Sequence, residues 1–285
     1  MEELFKIVVV VFTVANLAAM GLELNVREAA KAFWNPRFVV LTLIWGWVAG
    51  PAIAWLITRT LPLQDAHAAG LLLISLAPTA PFFPLLVRKA RGDMSFAAAF
   101  MLLTTVGTVV LLPLMAPALI KGLTVDAWSL AKPLLTMVLL PLVLGIVLKV
   151  RAETLADKLF PVVKKIGGIF LLITLVMTLW LYGSDMLGAI GSFAPGAQVL
   201  FFIVITALSY MIGLGLKQDQ RSGIALGMCT RNIAAVFAAY FGITSPPSGL
   251  FVMIVLVVPL AAIVAFAAAR VFEKQAVGPA DATAT

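Results

Sequence analysis

Nine separate stretches of about 20 predominantly apolar residues run through this chain, and a stretch of that length and character fits the hydrocarbon core of a bilayer. They read Phe5–Leu24, Phe38–Thr58, Ala66–Val87, Ser95–Leu119, Leu130–Leu148, Val162–Tyr182, Ala197–Leu216, Ser222–Phe241 and Leu250–Phe272. Together they consume most of the 285 residues, leaving short loops and no room for a soluble domain. Composition agrees: 62% of residues are apolar and 12% charged, where a soluble domain has about half and a quarter. One core of this size could not hide so much apolar surface from water. The expected fold is therefore an all-α polytopic membrane protein with nine transmembrane helices. The first stretch opens on Glu2 and Glu3 rather than a basic cluster, so it reads as a permanent span and not a cleaved signal. The tail from Gln275 to Thr285 is small and polar and reads as a disordered cytoplasmic segment.

Basic residues fix the expected orientation. One set of loops and ends carries Lys6, Arg59, Lys121 and Lys132; the other carries fifteen Lys and Arg, from Arg27 to Lys274. Cytoplasmic loops are the basic ones, so the N-terminus is expected outside and the C-terminus inside a cell membrane. The same asymmetry accounts for the net charge of +7 without a nucleic-acid partner. A single Cys and a single His exclude a disulfide framework and a Cys-rich zinc site. They also deprive an intramembrane enzyme of its nucleophile and base, so no catalytic residue, metal site or cofactor is expected. His67, at the outer end of the third span, reads as a solvated cap, and Glu23 as a surface charge. Trp34, Trp128 and Trp180 sit near span ends as interface anchors; Trp45, Trp47 and Trp55 read as packing or lipid-facing residues.

Two spans cannot be ordinary helices. The third contains Pro78, Pro81 and Pro84. Each proline removes a backbone donor and disfavours helix at the residue before it. Three within seven residues imply an unwound stretch at mid-membrane, tolerated only where it is buried in protein or lines a watery cavity. The eighth span carries Cys229-Thr230-Arg231-Asn232 about ten residues from either end. A guanidinium at that depth is costly and normally paired, hydrated or functional. The two interrupted spans run in opposite senses and are each followed closely by another span. That arrangement points to an inverted-repeat secondary transporter whose site lies where two discontinuous helices cross.

Further along, the chain resembles the bile acid:sodium symporter superfamily. The segments that carry the resemblance are Ala19-Met20-Gly21-Leu22-Glu23-Leu24, Asn35-Pro36-Arg37, Pro51-Ala52-Ile53-Ala54-Trp55, Arg91-Gly92-Asp93 and Leu139-Leu140-Pro141-Leu142-Val143-Leu144-Gly145. Each is weak alone; in this order and spacing they are fairly specific. The resemblance implies two inverted repeats forming a panel and a core domain. Here the first repeat, residues 1–129, lacks its first helix, and the second spans residues 130–274. It also implies transport of an organic anion, often coupled to sodium.

The family's sodium motif is where this chain departs. Positions that resemble its cation ligands hold Phe83, Pro84, Ala97, Met101, Ala225, Cys229 and Gly46, and no Asp or Glu falls at mid-membrane. A hard cation wants several oxygens and usually carboxylate charge. Arg231 supplies a built-in cation instead, with its donors expected on unwound carbonyls of the third span and on an anionic substrate. The candidate transport residues are therefore Arg231, Asn232, Thr230 and Cys229 with Pro78, Thr79, Pro81, Phe82 and Phe83. Thr104 and Thr108 on the fourth span complete the set. The expected partners are the bilayer and a small organic anion. The coupling ion stays open: a sodium symporter using backbone carbonyls, Thr79, Thr104 and Thr108 is the rival, and a channel-like or regulatory membrane protein a lesser one.

Overall fold

The computed structural model describes residues 1–120, 125–244 and 246–276. The chain begins with α1 (Glu2–Glu23), α2 (Val26–Phe33) and α3 (Pro36–Ile44), the last passing through a π turn at Trp45–Ala49 into α4 (Gly50–Thr60). Then come α5 (Asp65–Ser75), α6 (Phe83–Lys89) and α7 (Met94–Leu119). A second π turn, Leu134–Leu139, joins α8 (Ala127–Pro133) to α9 (Leu140–Arg151). The remainder is α10 (Glu153–Ile190), α11 (Ala194–Met211), α12 (Gln218–Cys229), α13 (Ile233–Phe241) and α14 (Ser248–Ala276). No strand occurs among the described residues.

Eight helices among the described residues are long and apolar enough to cross a membrane, with α3–α4, α8–α9 and α12–α13 each counted as one. The third expected stretch is not among them. It is divided into α5 and α6 by non-helical backbone at residues 76–82, where the prolines stand. Both π turns precede a proline at the start of the next helix, Pro51 in α4 and Pro141 in α9. A proline ring collides with the carbonyl four residues back, and widening the turn relieves that collision without breaking the helix.

Apolarity marks the membrane portion of a helix and not its end, so several expected boundaries move. Helix α10 has 38 residues and is about 57 Å long, well beyond the roughly 30 Å of hydrocarbon; it continues through the charged segment before Val162. Helix α11 stops at Met211 rather than Leu216. Beyond it Leu214 and Gly215 take positive φ values of 41° and 84°, which a helix cannot contain. The Arg221 guanidinium closes that helix end, donating from Nε and Nη2 to the Tyr210 carbonyl at 2.8 and 2.6 Å. Gln275 and Ala276 belong to α14; the rest of the expected tail, like Lys121, lies outside the described residues.

Burial sorts the helices. In the most apolar window of α10 only 17% of residues are buried, against 89% for α12–α13. The broken helix is thus at the centre and α10 at the periphery, packed along α1. Helix α1 also packs on α9, where Gly145 brings the two backbones together: a Cβ there would lie 2.5 Å from the Ala18 carbonyl oxygen. Trp34, Trp128 and Trp180 are exposed, while Trp45 and Trp47 are buried. His67 corrects the expectation of a solvated cap. It is buried, because α5 lies against the start of α14, where Gly249 leaves room beside the imidazole.

Candidate functional site

The three prolines leave an account of carbonyls to be settled, since each deprives the residue four positions earlier of its helical donor. For Pro78 that residue is Ile74, whose oxygen accepts from Ala77 N at 3.0 Å in a tighter turn. For Pro84 it is Ala80, which accepts from Phe83 N at 3.0 Å. For Pro81 it is Ala77, and no nearby amide replaces the lost donor. Its oxygen accepts instead from Arg231 Nη1 at 2.7 Å, 154 positions along the chain. The buried guanidinium is where it is because the proline opposite it exposes an acceptor.

Other contacts tie the two breaks together. Asn232 N donates to the Pro78 carbonyl at 2.8 Å, and the hydroxyls of Thr79 and Thr230 lie 2.7 Å apart. From α7, Thr108 donates to the Leu76 carbonyl at 2.9 Å, and Thr104 Oγ1 accepts from Thr79 N at 3.4 Å. The breaks are thus fastened by side chains and backbone of α7, α12 and α13, which satisfies the buried-backbone requirement.

Above the junction is a cavity of about 450 Å³. Its floor includes Arg231 and Asn232 beside Pro81 and Phe82. Phe12, Asn16 and Leu171 of α1 and α10 form one wall, and Val257, Val258 and Ala261 of α14 another. Glu23, Arg88 and Lys164 stand at the mouth, with Lys164 Nζ 3.9 Å from a Glu23 carboxylate oxygen. Glu23 is seven positions from Asn16 along α1, about 10 Å of helix rise, which sets the depth of the chamber.

Four of the sequence-derived candidates therefore line the cavity: Arg231, Asn232, Pro81 and Phe82. Pro78, Thr79, Thr230, Thr104 and Thr108 lie behind its floor and hold the junction. Phe83 points elsewhere, its ring 5.4 Å from that of Phe100. Cys229 is buried with Sγ 3.9 Å from the Ala261 carbonyl oxygen. Sequence reasoning missed Asn16, Arg88 and Lys164, and took Glu23 for a surface charge only; it is exposed, and also lines the mouth. Asn16 had a signal, an amide within an otherwise apolar first span. The mouth residues had none, because loop-proximal charges look alike until the chamber is built.

Electrostatically the floor is positive. Arg231 is the one permanently charged side chain buried among the described residues, and no carboxylate is buried with it. Its Nη2 lies 3.9 Å from Met228 Sδ, and its guanidinium carbon 5.7 Å from the Phe201 ring centre. Its Nε has no partner, and neither has Asn232 Nδ2. Asn232 Oδ1 is engaged, accepting from Ala234 N at 3.0 Å as the N-cap of α13. Two buried, unpartnered donors thus belong to residues that line the chamber beside the N-terminus of α13, and donors of that kind are chemically suited to an anionic oxygen. Among the described residues no group of three or more His, Cys, Asp and Glu could hold a metal ion.

Comparison with known proteins places the chain in a family. Residues 10–188 match the model of the sodium bile acid symporter family. The chain is 25% identical over 232 residues to the probable sodium/metabolite cotransporter BASS3, chloroplastic, of Arabidopsis thaliana, covering 79% of this chain and 54% of that protein. The BASS3 counterpart from Oryza sativa subsp. japonica is 23% identical over 79% of this chain and 55% of its own length. The Arabidopsis probable sodium/metabolite cotransporter BASS1, chloroplastic, is 27% identical over 53% of this chain and 38% of its own length. The chain thus spans about half the length, or less, of these curated relatives. The family model covers more than half of the chain, and the chain belongs to the sodium bile acid symporter family.

Proposed function

We propose that this member of the sodium bile acid symporter family is a secondary transporter that carries a small organic anion by alternating access. The observation that carries the reading is the pair of unpartnered buried donors, Arg231 Nε and Asn232 Nδ2, on residues that line a chamber of about 450 Å³ where two broken helices meet. A carboxylate or sulfonate takes both donors, and the apolar walls accept the body of the molecule. The proposed architecture has nine crossings, with α5–α6 as the third. Two inverted repeats, residues 1–129 and 130–274, bring the broken helices face to face. Thr79, Thr230, Pro78, Thr104 and Thr108 hold the junction in shape, and the protein sits in the cell membrane.

Sodium is not required in this proposal, because the buried positive charge is already provided by Arg231 and no buried carboxylate offsets a second cation. The relatives, named as probable sodium/metabolite cotransporters, favour the alternative of sodium coupling, for which backbone carbonyls and hydroxyls at the break would be the ligands. A thermal-shift panel of organic acids on the purified protein, with and without sodium, identifies ligands and separates the two. Uptake of the best ligand into proteoliposomes should be nearly unchanged when choline replaces sodium at constant ionic strength. A fall to background establishes the sodium-coupled reading instead, and a panel without a single stabilising anion removes the transport assignment.

A further inference from the structure

We propose that a cluster of aromatic rings is the gate closing the far end of the chamber, and that parting these rings opens the chamber to the opposite face. The inference rests on the alternating-access reading above and names the contact such a mechanism has to break. The rings belong to Phe5 of α1, Tyr182 of α10, Phe237, Tyr240 and Phe241 of α13, and Phe251 of α14. All four helices also line the chamber, and on each of them the rings are displaced from the lining residues away from the mouth. Phe5 precedes Phe12 by seven positions, about 10 Å of helix, whereas Glu23 at the mouth follows it. Tyr182 follows Leu171 by eleven positions, about 16 Å, and Lys164 at the mouth precedes it. Phe237 lies four positions past Ile233, about 6 Å, and Phe251 six positions before Val257, about 9 Å. One apolar helix face would not place rings from four helices together at the closed end.

Phe251 is the hub. Its ring centre lies 5.5 Å from Phe5, 4.2 Å from Tyr182, 5.5 Å from Phe237 and 5.7 Å from Tyr240. Helix α1 packs along α10, and α13 along α14. The two pairs meet through Phe5 with Phe237, Phe5 with Phe251, and Tyr182 with Phe251. Phe5, Phe237 and Phe251 are buried, so this layer shuts water out. It is also a join that can come apart. Ring contacts rest on dispersion and quadrupole attraction, each weak and tolerant of sliding, and separating neutral rings strands no charge. Thr13 Oγ1 bridges the same helices, 3.5 Å from the Ala234 carbonyl oxygen, but it also donates to the Val9 carbonyl at 2.8 Å. That second bond stays within α1 and survives the movement of α13. At the mouth, by contrast, the charged Glu23, Arg88 and Lys164 stand where the far end has rings.

The experiment needs no substrate. In a Cys229→Ser background, Leu171→Cys puts a thiol on the chamber wall between mouth and rings, read by an impermeant maleimide applied to either face of oriented vesicles. With the rings intact, labelling should come predominantly from the mouth side. Phe251→Ala should raise labelling from the opposite face at least about tenfold and lower it from the mouth side, because a chamber open at one end is closed at the other. Tyr182→Ala, across the join, should do the same. Phe38→Ala removes an equally buried ring, 4.6 Å from Phe96 and outside the cluster. It should lower the thermal midpoint and leave the far face closed. A far-face gain with undiminished mouth-side labelling means a hole in the packing and overturns the gate, as does an equal gain in Phe38→Ala. Unchanged labelling in both ring variants also overturns it and leaves the transport reading standing. The reciprocal shift, found alongside an acid panel without a stabilising anion, keeps the gate and removes the anion-transport reading. Where Phe251→Ala does not fold, Tyr182→Ala, at a half-buried position, decides alone.

Discussion

Asn232 uses the two ends of one amide for separate tasks, and the tasks can be pulled apart. Its Oδ1 caps α13 through Ala234 N, while its Nδ2 is buried without a partner beside the chamber that Asn232 lines. Aspartate caps a helix as well as asparagine but donates nothing. Asn232→Asp should therefore melt close to the parent protein yet lose at least about tenfold in affinity for the best stabilising carboxylate, because a donor is replaced by negative charge. Asn232→Ala should cost about 1 kcal/mol of stability through the lost cap. Thermal unfolding with and without the ligand checks both. At Arg231, lysine keeps the charge and loses the planar fork. One charge-assisted bond is worth about 1.5–3 kcal/mol, so Arg231→Lys should remain monodisperse and bind about 10- to 150-fold more weakly. Unchanged binding in a normally melting Arg231→Lys protein refutes the binding role. Arg231 was legible in the sequence because a charge in an apolar run has few explanations. Which of its nitrogens is left free was not legible, since that depends on Pro81 exposing the Ala77 carbonyl from a distant helix.

Helices were legible to the extent that apolarity and helix coincide. The run of Pro78, Pro81 and Pro84 gives its break directly, because proline acts on its own neighbours. Residues 230–232 contain no proline, and there the polar triplet was the only signal; the backbone leaves the helix as Asn232 N turns to the Pro78 carbonyl. Boundaries such as the N-terminal extension of α10 escaped because charged residues form helix outside the membrane as readily as apolar ones do inside it. Close approach escaped as well. Nothing in Leu144-Gly145-Ile146 says that α1 passes within contact of that glycine. In the fold a Cβ at Gly145 would lie 2.5 Å from Ala18 O and 2.9 Å from the Gly21 Cα, all of it backbone that cannot rotate aside. Gly145→Val should therefore separate α1 from α9 and destabilise the protein by about 1–3 kcal/mol, the usual range for overpacking. A lower thermal midpoint with unchanged ligand rank order is the expected result. A midpoint equal to the parent's would mean that the pair does not pack this closely.

At the scale of the whole molecule, one orientation links the charge balance to the direction in which the chamber opens. Glu23, Arg88 and Lys164 mark the mouth, and Arg88 and Lys164 belong to the fifteen basic residues expected on one side of the membrane. The four on the other side include Lys6 and Arg59, at α1's beginning and α4's end. If basic loops stay in the cytoplasm, the N-terminus is outside, the C-terminus is inside, and the chamber in this structure opens to the cytoplasm. The parity of the crossings makes this testable: with α5–α6 as a full crossing the termini lie on opposite faces, whereas eight crossings would return them to the same face. A short epitope at each end, probed in intact and permeabilised cells, should be detected without permeabilisation at the N-terminus and only after it at the C-terminus. Both tags protected would limit α5–α6 to a re-entrant pair and give eight crossings. Opposite faces with the N-terminus protected would keep nine crossings and turn the chamber outward, so that the basic mouth would collect anions from outside the cell.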